Sequence, residues 1–273
     1  MECQLDRITV HYDVFGKGRP IIMLHGMPLD HNQMIYEMER HFAKRDGWER
    51  IYLDMPGHGK TPGADWITST DQVLEVVEDL IDQVIPGERF VVTGTSYGAY
   101  IARGLVYRRG PQMDGLLLNV PSITYGEEKR TLPSRVILFK DQAIMETAKS
   151  ENMAWLEEVI VVQNQAILEY GRACQTGRSV ADEKFLDKLK GFSFDVDNLP
   201  QPFPAPTLFI MGRQDHWVGY RDAWGILENY PRATFAVLDR AGHAVLGEQA
   251  ELCSALVQEW LDRVEEWSTQ THS

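Results

Sequence analysis

Two hydrophobic rhythms alternate along this chain. Short continuous apolar runs, such as "PIIMLHG", "RFVVTGTS" and "PTLFIMGRQD", end in glycine or polar residues. Longer stretches between them repeat apolar residues every three or four positions. A continuous run is a strand buried on both faces, and the second pattern is an amphipathic helix. Their alternation predicts an α/β chain whose mostly parallel sheet is covered by helices on both sides. "RITVHYDVFG", "RIYLDMPGHG", "GLLLNVPS" and "TFAVLDRAGH" complete a set of seven expected strands.

The clearest helical stripe is Val73, Val76, Val77, Leu80, Ile81 and Val84. Ser69 with Gln72 forms a capping box before it, and Pro86-Gly87 stops it. Leu252, Leu256, Val257, Trp260, Leu261 and Val264 predict a second helix near the C-terminus. Between "GLLLNV" and "PTLFIM" the rhythm breaks into helical segments without a strand. Residues 122–204 are therefore expected as an inserted helical cap, with 1–121 and 205–273 as the core. The return path "LPQPFPAPT" places proline at every second position from Pro200 to Pro206, which denies it helix and holds it extended.

At 44% hydrophobic residues the chain can bury a large core. A net charge of −13 opposes nucleic-acid binding, which needs a concentrated basic surface. No long uncharged apolar run predicts a membrane span, and the N-terminus lacks the basic-then-apolar pattern of a secretory leader. Three widely spaced cysteines form neither a disulfide framework nor a zinc site. The expectation is a cytoplasmic enzyme, monomer or homodimer, with no metal or organic cofactor.

The candidate chemistry sits where strands end. Gly94-Thr95-Ser96-Tyr97-Gly98 follows an apolar strand and precedes a small-residue helix, the context that presents a serine hydroxyl on a sharp turn. A serine nucleophile needs a base. His243 follows the last strand, whereas His11, His31, His41, His25 and His58 fall within earlier elements or glycine loops and His272 in the tail. The base needs a carboxylate to fix its tautomer, and Asp215 ends the preceding strand. The order is Ser96, Asp215, His243. "LHGMP" ends an early strand, so the Met27 N–H could join that of Tyr97 as an oxyanion donor, while Pro28 has none to give.

Together "LHGMP", "DMPGHGKT", "GTSYGAY", "GRQDHWV" and "RAGHA" resemble the α/β-hydrolase fold superfamily, in its capped, esterase-like branch. The resemblance covers the chain outside the cap. It implies an eight-stranded, mostly parallel sheet, a Ser96–Asp215–His243 triad and an oxyanion hole from the Met27 and Tyr97 amides. Serine at position 96 disfavours the dehalogenase and epoxide hydrolase branches, which use aspartate there. Thr95 stands where lipase-like relatives commonly carry histidine. Asp54 resembles the D-x-P-G-x-G loop, with a structural role in holding the turn.

These residues imply acyl transfer on a small-to-medium, mainly apolar carboxylic ester, a small-molecule substrate. His25, Gly26, Met145, Phe139, Trp155 and Trp217 are candidates for the pocket, with Met153, Phe192 and Phe194 as further apolar cap residues and the Tyr97 side chain facing inward. Arg130, Arg135 and Arg172 are the arginines considered for an acidic substrate. Other triad chemistries stay open: C–C bond hydrolysis, lactone opening, or an aminopeptidase whose amine is held by Glu146, Glu151, Glu157 or Glu158. A slow-turnover ligand receptor is the reading from outside enzymology.

Overall fold

Every expected strand lies in one sheet of the computed structural model, which describes residues 1–271. His272 lies outside the described residues. The strands are β2 (Thr9–Gly16), β3 (Arg19–Leu24), β4 (Trp48–Leu53), β5 (Phe90–Thr95), β6 (Met113–Asn119), β7 (Thr207–Gly212) and β8 (Ala233–Leu238). An eighth, β1 (Glu2–Gln4), pairs antiparallel with β2 at the edge. Three residues with one buried side chain carry no apolar run, so the sequence pattern does not separate β1 from its surroundings. The spatial order is β1-β2-β4-β3-β5-β6-β7-β8, antiparallel only at β1–β2 and β2–β4.

Alternation along the central strands divides the core between two layers. Ile22, Leu24 and Val92 face α2 (Thr70–Val84) and α3 (Tyr97–Arg109). Ile21, Met23 and Val91 face α1 (His31–Met38) and the C-terminal helix (Ala250–Thr271). Gln72 Oε1 accepts the Ser69 N–H at 3.0 Å, so the capping box forms as its spacing requires. In the C-terminal helix Cys253, Val257, Trp260, Leu261 and Val264 are buried, while Leu252, expected in the stripe, is half exposed. The rest of the expected stripe holds, and Cys253 fills the place assigned to Leu252.

Residues 122–204 hold four helices, α4 (Gln142–Ser150), α5 (Leu156–Val159), α6 (Gln165–Val180) and α7 (Glu183–Leu186), and no strand among the described residues. Beyond them come α8 (Arg221–Trp224), α9 (Val245–Glu248) and the C-terminal helix, α10. Met145, Met153, Leu156 and Leu168 give the inserted helices a core of their own. Both roots of the insert are tied to one side chain. Arg103 on α3 is fully buried, donates to the Ser122 and Ile123 carbonyls at 2.7 and 3.0 Å, and forks onto the Asp197 carboxylate. Removing one partner of a buried ion pair typically costs about 3–5 kcal/mol, because the other charge stays behind unpaired. Arg103→Met is therefore expected to lose about that much stability by urea titration; a loss below about 1 kcal/mol would contradict the clamp. No described helix is long and apolar enough to cross a membrane.

Candidate active site

Ser96 joins β5 to α3 at φ 55° and ψ −110°, a left-handed backbone that costs a non-glycine residue about 1–3 kcal/mol. Its neighbours show why the turn needs glycine. A Cβ on Gly94 would stand 2.4 Å from the Gly98 carbonyl oxygen, and one on Gly98 would stand 2.1 Å from that of Leu24. Strand and helix close to backbone contact here, and the serine is pushed out at the sheet edge. As the first residue of α3, Tyr97 has an amide that no carbonyl of its helix can accept. Across the site, the Met27 N–H meets no protein acceptor among the described residues.

Asp215 follows β7 and His243 follows β8, as the strand-end pattern predicts. The fully buried Asp215 carboxylate accepts the Trp217 and Val218 amides on Oδ1, at 2.9 and 3.1 Å. Its Oδ2 lies 2.8 Å from His243 Nδ1. That contact places the ring proton on Nδ1 and leaves Nε2 as a lone-pair base. Trp217 stacks on the imidazole with ring centroids 5.6 Å apart. Ser96, His243, Met27 and Gly26 share one cavity, closed over by Trp155 and Val159 of the insert. Its volume is about 20 Å³, room for about one water molecule. Larger clefts of about 730 and 740 Å³ lie beside Tyr100 and Phe192 and along the proline strap, and neither contains Ser96, Asp215 or His243.

Behind the serine runs a buried polar chain that the sequence reading did not find. Gln33 Oε1 accepts the Gly26 N–H at 2.8 Å, and Gln33 Nε2 donates to Glu37 at 2.9 Å. The other Glu37 oxygen takes the Thr95 hydroxyl at 2.6 Å, next to Ser96. One carboxylate thus braces both the Gly26 turn and the serine turn. The available signal was two polar residues spaced i, i+4 on α1, beside the buried Met34 and Met38.

Burial raises the Glu37 carboxyl from 4.5 to about 7, against the hydrogen bonds from Thr95, Gln33 and Asn119 and the nearby His243. The fold then holds a proton that the unfolded chain releases at lower pH. Its contribution is fully present below pH 4.5 and is lost as pH rises through about 7, on the order of 3 kcal/mol. The stability of Glu37→Gln relative to the parent should therefore improve from pH 5 to pH 8 in urea titrations. Parallel pH profiles for the two proteins would contradict this.

Other expected residues lie elsewhere. His25 is fully buried, donating from Nδ1 to the Gly26 carbonyl and accepting the Met55 N–H on Nε2; it supports the loop and does not line the cavity. Met145 is buried in the core of the insert, and Phe139 is half exposed under the Arg240 guanidinium. Phe192 and Phe194 stack with each other, beside Tyr100 and Tyr107. The Tyr97 hydroxyl points away, 3.3 Å from Thr70 Oγ1. Of the pocket candidates, Gly26, Trp155 and Trp217 line the cavity. Asp54 accepts the His31 and Lys60 amides and the His31 ring, and against the effect of burial these partners hold it down at about 2.

Glu248 was also missed. Its carboxylate accepts the Gly242 N–H at 2.6 Å, and those of Val161 and Val162, so it ties the histidine loop to the insert.

Known proteins share this architecture. A crystal structure of an alpha/beta superfamily hydrolase from Oenococcus oeni superposes with a TM-score of 0.88 at 28% identity, covering 97% of this chain and 99% of the other. A 2-hydroxy-6-oxononadienedioate/2-hydroxy-6-oxononatrienedioate hydrolase of Paraburkholderia phymatum is 26% identical over 93% of this chain and 91% of its own. A pimeloyl-[acyl-carrier protein] methyl ester esterase of Legionella pneumophila is 21% identical over 93% of this chain and all of its own. The family model described as alpha/beta hydrolase matches residues 21–256. With the serine turn, the sheet order and that match in agreement, the chain belongs to the alpha/beta hydrolase family.

Proposed function

We propose that this hydrolase cleaves a carboxylic ester through an acyl-enzyme on Ser96. His243 Nε2 takes the hydroxyl proton as Ser96 Oγ adds to the ester carbonyl, and Asp215 stabilises the imidazolium. The Met27 and Tyr97 amides receive the oxyanion. His243 then gives its proton to the leaving alkoxide, releasing the alcohol. Water attacks the acyl-enzyme by the same route, releasing the acid and restoring the serine. Residues 122–204 serve as the cap that excludes bulk water.

The observation that carries this reading is the Asp215–His243 pair, which leaves a basic nitrogen in the cavity that Ser96 enters. Leu29, Val159, Trp155 and Trp217 supply apolar walls for a substrate of modest size. No described carboxylate lines the cavity, which counts against an aminopeptidase that must hold a substrate amine. The Legionella esterase relative favours an ester; the Paraburkholderia relative keeps C–C cleavage as the second reading.

The test is to label the protein with a fluorophosphonate probe and locate the adduct, then compare turnover of p-nitrophenyl butyrate, a lactone and an amino-acid arylamide. An adduct on Ser96 with fastest turnover of the butyrate supports the proposal. An adduct elsewhere, or arylamide turnover exceeding that of the ester, would overturn it.

A further inference from the structure

Arg178 is the one permanently charged residue among the described residues lining the cavity. It lies in the last turn of α6, half-buried, with its guanidinium 5.2 Å from the centre of the Trp155 ring. The other arginines within the insert have acceptors. Arg130 donates to the Thr124 and Trp217 carbonyls, Arg135 to that of Glu157, and Arg172 forks onto the Glu151 carboxylate. Arg178 has no hydrogen bond and no carboxylate within 4 Å among the described residues. A guanidinium held over an indole by charge–quadrupole attraction keeps N–H donors that the ring does not use.

The backbone holds this cation in place. A Cβ on Gly177 would stand 2.6 Å from the Asp30 amide nitrogen, so the last turn of α6 closes directly on the start of α1. The Asp30 carboxylate is turned to the Asn32 amide and side chain, both at 3.1 Å, and makes no ion pair with the arginine. The chain as a whole carries −13. An unpaired, partly desolvated guanidinium beside the serine therefore stands out as a binding group.

We propose that Arg178 selects esters bearing a carboxylate on the acyl or alcohol part, which it binds through its free fork while Ser96 meets the ester carbonyl. This rests on the ester reading and narrows the mainly apolar substrate expected from sequence: the body is apolar and one end is anionic.

Two matched pairs test it. p-Nitrophenyl hemiglutarate against p-nitrophenyl valerate places the charge on the acyl side, and carboxymethyl butyrate against ethyl butyrate places it on the alcohol side. In at least one pair, Arg178→Met is expected to lower the anionic-to-neutral ratio of kcat/KM by about 10- to 100-fold, the range of a charge-assisted hydrogen bond. Arg178→Lys should restore part of it. Binding of the same esters to Ser96→Ala protein, with and without Arg178→Met, is measured by calorimetry.

A ratio and a binding preference unmoved by Arg178→Met in both pairs would overturn the inference, even if Ser96-dependent hydrolysis stands. Arg178-dependent binding of the anionic esters without hydrolysis would uphold it while the ester reading fails.

Discussion

Ser96→Ala should lower kcat on an activated ester by about 10⁶-fold, the scale seen when a triad serine is removed. The change deletes one oxygen and keeps the Cβ, so the backbone at φ 55° is no more strained than before. Gly94 and Gly98 still let strand and helix meet, and the melting temperature should move by no more than a few degrees. The Met27 and Tyr97 amides remain, so substrate binding should survive while turnover does not. A kcat within tenfold of the parent would remove Ser96 from the reaction, whatever the fold.

Asp215→Asn is the second large effect, expected at about 10⁴-fold in kcat. The amide oxygen can replace Oδ1 and keep the Trp217 and Val218 N–H bonds at this fully buried position. The NH₂ group must then face His243 Nδ1, where the carboxylate oxygen stood. An NH₂ can only donate, so Nδ1 must give up its proton and the imidazole carries hydrogen on Nε2 instead. The ring is still in place but can no longer accept the serine proton. Steady-state kinetics beside an unchanged circular dichroism spectrum would separate this from unfolding; retention of a tenth of the activity would exclude the tautomer role of Asp215.

The sequence reading placed its candidate residues at strand ends, where the structure has them, because strand position and residue type are both visible in one dimension. Ser96, Asp215 and His243 each close an apolar run, and Gly98 betrays a tight turn. It did not reach Glu37 or Glu248, which act through partners far away in the chain, Thr95 for Glu37 and Val161 and Val162 for Glu248, nor Gln33, which joins Gly26 to Glu37. On a helix, a buried carboxylate and a surface one look the same until the other elements are in place. The pocket fared similarly. Trp155 and Trp217 line it, but Met145 fills the insert's own core and Phe139 faces outward, since residue type predicts burial without saying which of two neighbouring cores receives it. Arg178 also lines the cavity without a signal in the sequence, because a basic residue at a helix C-terminus has an ordinary explanation in the helix dipole.

The size of the cavity sets a kinetic condition. Space for about one water cannot receive an acyl chain, so the side chains over it, Trp155 and Val159 first, must shift before a substrate docks. Arg103 fastens the insert at Ser122, Ile123 and Asp197, on either side of the helices that carry these side chains. Apparent affinity is then the intrinsic affinity multiplied by the fraction of molecules that stand open. A smaller side chain at Val159 is expected to raise the open fraction and tighten apparent binding while admitting water to the cavity.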